Sequence, residues 1–391
     1  MTRPRVLWIG DACVPTGFSR VTHNVLATLT DRWDISVLGI NYRGDPHPFP
    51  YPIYPAYIGG DLWGWGRIEA LSQTIQPDVI IINNDAWNIA KGMEALLSAQ
   101  VPVIAYMPVD GLNLKPEWVH PLNHLNLAVA YTQFGIEEFR KGGLTRPAEV
   151  IPHGIDLSTY HPMPQAEARA HLRLEQHIPA DAYIVGNVNR NQSRKRLDLT
   201  IACFATWVQR YHRDNAYLHL HCSSGDVGWD LVQLADYYGI GDRLILTDIA
   251  AFNWDGIHEH EMRAIYNAFD VQLSTTLGEG WGLTTLEGMA CGVPQILPDY
   301  AALGEWAKDA ALFVPVTSHV VATGGINTIG GVPDFDAIVE ALEQMYQEKE
   351  LRIEYGRRAL DLSRSPQYRW EQIADQWDEA VQKVLACSPP T

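Results

Sequence analysis

Two glutamates, Glu279 and Glu287, stand eight positions apart in GEGWGLTTLEGMACGVP (278–294), around a glycine-rich turn. DVQLSTT before it reads as a buried strand, and LTTLEGMAC as a helix stopped by Gly292 and then Pro294. A turn leading from a parallel strand into a helix exposes unpaired amides at the positive end of the helix dipole, which makes a phosphate cradle. Gly280 and Gly282 let the backbone come close to an anion and adopt positive φ at little cost. A carboxylate in that turn repels phosphate but accepts hydrogen bonds from neighbouring hydroxyls. Glu279 therefore points to a sugar phosphate or a nucleotide sugar. Two blander readings stand beside this one: Thr284 and Glu287 fit a T-x-x-E capping box, and Glu279 fits a solvated loop charge.

A second constellation complements the first. GNVNRNQSRKRLDLTIACFATWVQRY (186–211) sets Arg190, Arg194, Lys195 and Arg196 between a strand and a helix whose apolar face runs Leu197, Ile201, Phe204, Val208. Cations are unfavourable beside a helix N-terminus, so four of them suggest an anionic ligand, with a solvated helix start as the alternative. Departure of a nucleoside diphosphate from a sugar builds negative charge on the bridging oxygen, and preorganised cations stabilise that charge most in the transition state.

These residues need a scaffold, and short β-branched runs alternating with amphipathic stretches supply an α/β one. The strand candidates are 5–12, 35–40, 78–83, 101–107, 125–131 and 148–154, then 182–188, 217–222, 243–248, 270–275, 294–299 and 310–315. Two Rossmann-like domains follow, as 391 residues exceed one ordinary core. The proline-bearing stretch 160–181 reads as the interdomain linker, and the glycine-rich 316–333 as a surface excursion. Helical spacing of apolar residues in 368–385 requires a packing partner. DFD at 334–336 opens a helix and reads as an N-cap rather than a metal ligand.

Composition narrows the class. With 47% hydrophobic and 19% charged residues the chain should fold as a soluble globular protein. No stretch approaches the roughly 20 apolar residues of a membrane span, and Met1–Arg5 runs straight into a strand rather than a signal segment. The expectation is an untargeted protein. Five scattered cysteines without a CxxC pair suggest neither a disulfide framework nor a zinc site, and a reducing cytoplasm suits them. A net charge of -17 argues against sequence-independent nucleic-acid binding.

GEGWGLTTLEGMACGVP resembles the E-G-F-G-L-x-x-x-E-x-M-A-x-G-x-P signature of retaining glycosyltransferases of family 4, with Trp281 where Phe is more usual and Gly288 where Ala is common. GDACVPTGFSR (10–20) resembles the family's first glycine loop, VIPHGID (150–156) its V-I-P-N-G-V-D strand end, and Glu305 follows the last Gly-Pro unit. The resemblance covers essentially the whole chain. It implies a GT-B fold: a first domain over 1–165, a nucleotide-sugar domain over 166–367, the two facing across a cleft, and a C-terminal helix (368–391) crossing back to the first. It implies that Arg190 and Lys195 contact the donor diphosphate, with Arg194 sharing the role, although N-R-N-Q-S-R-K-R stands where G-R-x-x-x-x-K-G is usual. Glu287 would hold the ribose and Glu279 the sugar hydroxyls, with Gly280, Trp281 and the amides of Gly282, Leu283 and Thr284 at the donor. Thr16 and Gly17 would touch donor phosphate or acceptor. Many members carry a histidine in the stretch corresponding to VIAYMPVDGLN (103–113); here Asp110 lies nearest, either accepting a hydroxyl or capping a turn before Gly111.

The implied reaction is front-face transfer through an oxocarbenium-like state from a UDP- or GDP-sugar, with no metal and no cofactor. The acceptor is open: glycan, lipid, small molecule, protein or modified nucleic acid; a homo-oligomer is compatible. Competing readings are an idle nucleotide-sugar sensor or scaffold, and a GT-B epimerase or phosphorylase. Trp63, Trp65 and Trp87 offer sugar-stacking faces but also suit a core, and His153 reads as structural.

Overall fold

The computed structural model describes residues 3–174, 178–223, 226–248, 257–322 and 327–387. The chain divides into two compact units. The first takes in the chain up to Val109, Asn113–Gly154 and the chain from Pro366; the second takes in Asp110–Leu112 and Ile155–Ser365.

In the first unit β1 (Arg5–Asp11), β2 (Asp34–Ile40), β3 (Ile53–Pro55), β4 (Val79–Asn83), β5 (Val103–Met107), β6 (Leu127–Ala130) and β7 (Ala148–Val150) form one parallel sheet in the order β3-β2-β1-β4-β5-β6-β7. Such a sheet is covered on both faces, so its strands are apolar without alternation. Val6 to Ile9 in β1 and Val79 to Ile82 in β4 are fully buried. β3 escaped sequence reading because Pro52 and Pro55 interrupt its pattern; prolines are tolerated there because it is an edge.

The second unit carries β8 (Tyr183–Val188), β9 (Ala216–Cys222), β10 (Leu244–Asp248), β11 (Val271–Leu273), β12 (Gln295–Pro298) and β13 (Leu312–Val314), parallel in the order β10-β9-β8-β11-β12-β13. One face packs Leu218, Leu220 and Val271 with Ile201, Phe204 and Val208 of the helix Leu197–Tyr211. The opposite face buries polar groups, among them His219, His221 and Gln272. Every stretch read as a strand holds one. The excursion expected at 316–333 is, in its described part, an antiparallel hairpin of β14 (Val316–Val321) and β15 (Ile329–Pro333); residues 323–326 lie outside the described residues. Within 160–181, where 175–177 lie outside the described residues, Gln165–His171 is helical, and Arg169 ties it to Asp270 at 2.8 Å.

The terminal helix Trp370–Cys387 belongs to the first unit, which supplies the packing partner its spacing required. Trp377 is fully buried, with ring centroids 5.6 Å from Trp8 and 4.9 Å from Tyr106, and Trp33 Nε1 donates to Asp378 at 2.8 Å. Among the described residues no helix is long and apolar enough to cross a membrane.

Asp334 caps the helix Phe335–Gln347, its carboxylate accepting from the Ala337 amide at 2.8 Å. Asp334→Ala is expected to lower stability by about 1 kcal/mol, read as a lower urea midpoint at unchanged slope. A loss several times larger, dependent on added divalent metal, would contradict the capping role.

Candidate functional site

In the second sheet the strand order reverses direction between β8 and β11, and in open α/β sheets ligands bind outside the carboxyl ends of the strands at such a switch point. Both constellations singled out in the sequence start there. The cationic loop follows β8 and the Glu279 loop follows β11.

Buried hydroxyls stitch the two loops together. Thr200 and Thr275 hydroxyls lie 2.6 Å apart, Thr275 Oγ1 donates to the Arg196 carbonyl at 2.8 Å, and the Leu277 amide donates to the Arg194 carbonyl at 2.8 Å. A 3-10 turn at Ser193–Lys195 leads to Arg196 at φ 51°, which enters the helix Leu197–Tyr211. Arg196 occupies the position where the resembling pattern has glycine, and the left-handed backbone that glycine would adopt freely is kept here by an arginine paired with Asp198 at 2.9 Å.

The centre of the site is Glu279, 7% exposed. Lys195 Nζ lies 2.5 Å from its Oε1 and Arg194 Nη1 3.2 Å from its Oε2. Arg194 also donates to the Gly278 carbonyl and places Nε 3.1 Å from Asp110 Oδ2. Burial by itself would raise the Glu279 carboxyl, but Lys195 and then Arg194 outweigh it and hold the pKa at about 2. The solvated-charge reading of Glu279 is therefore replaced by a buried ion-paired one. Burial lowers the Lys195 ammonium in turn, against the pull of Glu279.

Glu287 is 1% exposed and accepts from Tyr266 Oη at 2.6 Å. The helix Leu283–Ala290 begins after Gly282, which sits at φ 99° as N-cap without a side-chain cap bond. A capping box needs its glutamate at the third helical position, and Glu287 is at the fifth, so that reading of Thr284 and Glu287 gives way. Gly288 departs from the family pattern for a packing reason: a Cβ there would lie 2.0 Å from Gln272 Oε1. Trp281, 4% exposed, stacks on Trp306 with centroids 5.0 Å apart, which makes it core.

The structure thus gathers Arg194, Lys195, Glu279 and Asp110, with Gly280 to Thr284 following directly and Glu287 one turn further on. Arg190 stands apart from them, its exposed guanidinium forked on Asp226 at 2.8 and 3.1 Å. Thr16 and Gly17 belong to the first unit, where Thr16 caps the helix Gly17–Ala27 by accepting from the Ser19 amide and donates to Asp11 at 2.7 Å. Asp110 makes an ion pair rather than a turn cap. Trp63 and Trp87 pack edge to face at 6.2 Å, and Trp63 and Trp65 lie against the first unit's core. His153 is buried between Tyr106 and Tyr131.

Sequence reasoning missed Asn187, Asn189 and Tyr266. Asn189 donates to Asn187 at 2.8 Å and Asn187 to Thr200 at 2.9 Å, fixing the start of the cationic loop. The signal available was a run of asparagines at the end of an otherwise apolar strand.

Residues 180–347 match the family model described as "Glycosyl transferases group 1". A D-inositol 3-phosphate glycosyltransferase of Gordonia bronchialis is 25% identical over 251 residues, 62% of this chain and 49% of the relative, so the chain spans about half the length of that curated relative. The sucrose-phosphate synthase structure from Thermosynechococcus elongatus superposes with a TM-score of 0.77 at 18% identity, covering 99% of this chain and all of that one. A structure described as "Trehalose-6-phosphate from E. coli bound with UDP-2-fluoro glucose" gives 0.69 at 15% identity, covering 97% of this chain and 99% of that one. The chain thus has the GT-B fold over nearly its whole length, and its second unit carries the segment that matches the group 1 model.

Proposed function

We propose that the chain transfers a sugar from a nucleotide-diphospho-sugar to an acceptor hydroxyl with retention of configuration. The observation that carries this reading is the Lys195–Glu279–Arg194 cluster at the β8/β11 switch point, inside the segment that the group 1 model matches. As the donor bond breaks, charge accumulates on the leaving phosphate, and two preorganised cations stabilise it without a metal. Glu279, kept ionised, accepts hydroxyl hydrogens of the transferred sugar, and Glu287 takes the ribose. Arg190 joins the phosphate side on leaving Asp226. The neighbour bound with UDP-2-fluoro glucose supports a UDP-sugar as the first donor to try.

Thermal-shift titration of UDP- and GDP-sugars, followed by donor hydrolysis without acceptor, tests the proposal. At least one donor should raise the melting temperature and be hydrolysed slowly, with hydrolysis lost in Glu279→Gln. Binding without any turnover would favour a sensor, and absence of any shift would remove the reading altogether.

A further inference from the structure

Asp110–Leu112 belongs to the second unit, although Val109 before it and Asn113 after it belong to the first. Its seat is built from backbone and glycine. Leu112 and Ile329 exchange two backbone hydrogen bonds, at 3.0 and 2.9 Å. A Cβ at Gly111 would lie 2.7 Å from the Ile329 carbonyl oxygen, and one at Gly278 only 1.9 Å from the Asp110 carbonyl oxygen. Tyr300 Oη donates to the same Ile329 carbonyl at 2.5 Å, and the Gly331 amide donates to Leu277 at 2.8 Å. Asp110–Leu112, β15 and the Glu279 loop are therefore one knit assembly.

What the assembly presents is the Asp110 carboxylate, 3.1 Å from Arg194 Nε. Arg194 is divided between two carboxylates of different standing. Glu279 is 10% exposed at its side chain and has Lys195 as a second cation, whereas Asp110 is 37% exposed. A phosphate and a carboxylate compete for the same guanidinium fork. Giving up a pair this exposed costs little, and an arriving diphosphate also repels the carboxylate it displaces.

We propose that Asp110 is an exchangeable counter-ion: it holds Arg194 towards Glu279 and yields the guanidinium to the phosphate of a nucleoside diphosphate. The inference rests on the donor reading above and deepens it, because it makes Asp110 a positioning residue that opposes donor binding instead of a ligand for the sugar.

Calorimetric titration of UDP and GDP into wild type, Asp110→Asn and Asp110→Glu distinguishes the possibilities. Asp110→Asn should bind whichever nucleotide wild type binds about 2- to 5-fold more tightly, a gap that narrows with added salt. Asp110→Glu, which keeps the charge, should bind like wild type. Equal or weaker binding by Asp110→Asn overturns the exchange and leaves the donor reading standing. Equal tightening by Asp110→Glu also overturns it, since the cause would then be a loosened Asp110–Leu112 segment. If none of the three proteins binds either nucleotide, the donor reading fails together with the exchange.

Discussion

Lys195→Met is expected to be both the most destabilising and the most damaging single change in the site. It leaves Glu279, 7% exposed, with Arg194 and the Thr276 hydroxyl. Removing one partner of a buried pair typically costs about 3–5 kcal/mol, because the remaining charge is stranded; Arg194 offsets part of that here. The Glu279 carboxyl should climb from about 2 as burial loses its main opponent. The accompanying loss of one preorganised cation should lower donor turnover by about 10²- to 10³-fold. A double-mutant cycle separates these causes. Lys195→Met with Glu279→Gln removes both charges and should be more stable than Lys195→Met alone, giving a coupling energy well outside additivity. Urea unfolding followed by tryptophan fluorescence reads the cycle, and additive losses would show that the 2.5 Å contact contributes no pairing energy.

The parts of the fold legible in the sequence are those fixed by local pattern. Apolar runs such as Val79 to Ile82, bounded by turn signals, fit buried parallel strands, and the Ile373, Trp377, Val384 spacing fits a docked helix. The site was legible as two stretches but not as one cluster, because strand order is not a local property: nothing near Arg194 says that β8 lies beside β11. The different settings of adjacent cations were hidden for the same reason. Arg190 and Lys195 are equally basic, yet Asp226 holds the first in an exposed fork while Glu279 holds the second in the interior. Asp110 illustrates the limit most sharply, since its place in the second unit depends on Ile329, more than 200 residues away in the chain. The traces left in the sequence were the glycines at 111, 278 and 330, and each is explained only by the backbone or side chain that approaches it.

Acid should unfold this protein before it neutralises the site. His153, His219 and His221 are all but inaccessible, and burial lowers them to about 3, 3 and 4 from an ordinary value of about 6.5. His23 moves the same way, and its Nε2 accepts from the Cys13 amide at 3.0 Å, a bond that a protonated ring cannot make. Between pH 6.5 and 4 the unfolded chain therefore binds protons that the folded chain refuses, so stability falls as pH falls, by up to about 1.4 kcal/mol per pH unit for each buried ring. Glu279 adds its own loss only below its ordinary value of 4.5, towards its folded value of about 2. A decline in donor hydrolysis between pH 6.5 and 5 should accordingly track the unfolded fraction, with flat turnover per folded molecule as far as Glu279 is concerned. Urea midpoints at successive pH values measure the slope, and His219→Gln should reduce that slope by about one proton whatever it does to stability at pH 7. A stability profile that stayed level from pH 7 to pH 5 would mean that the buried rings do take up protons in the folded state, and the acid limit would then have to be sought in the carboxylates.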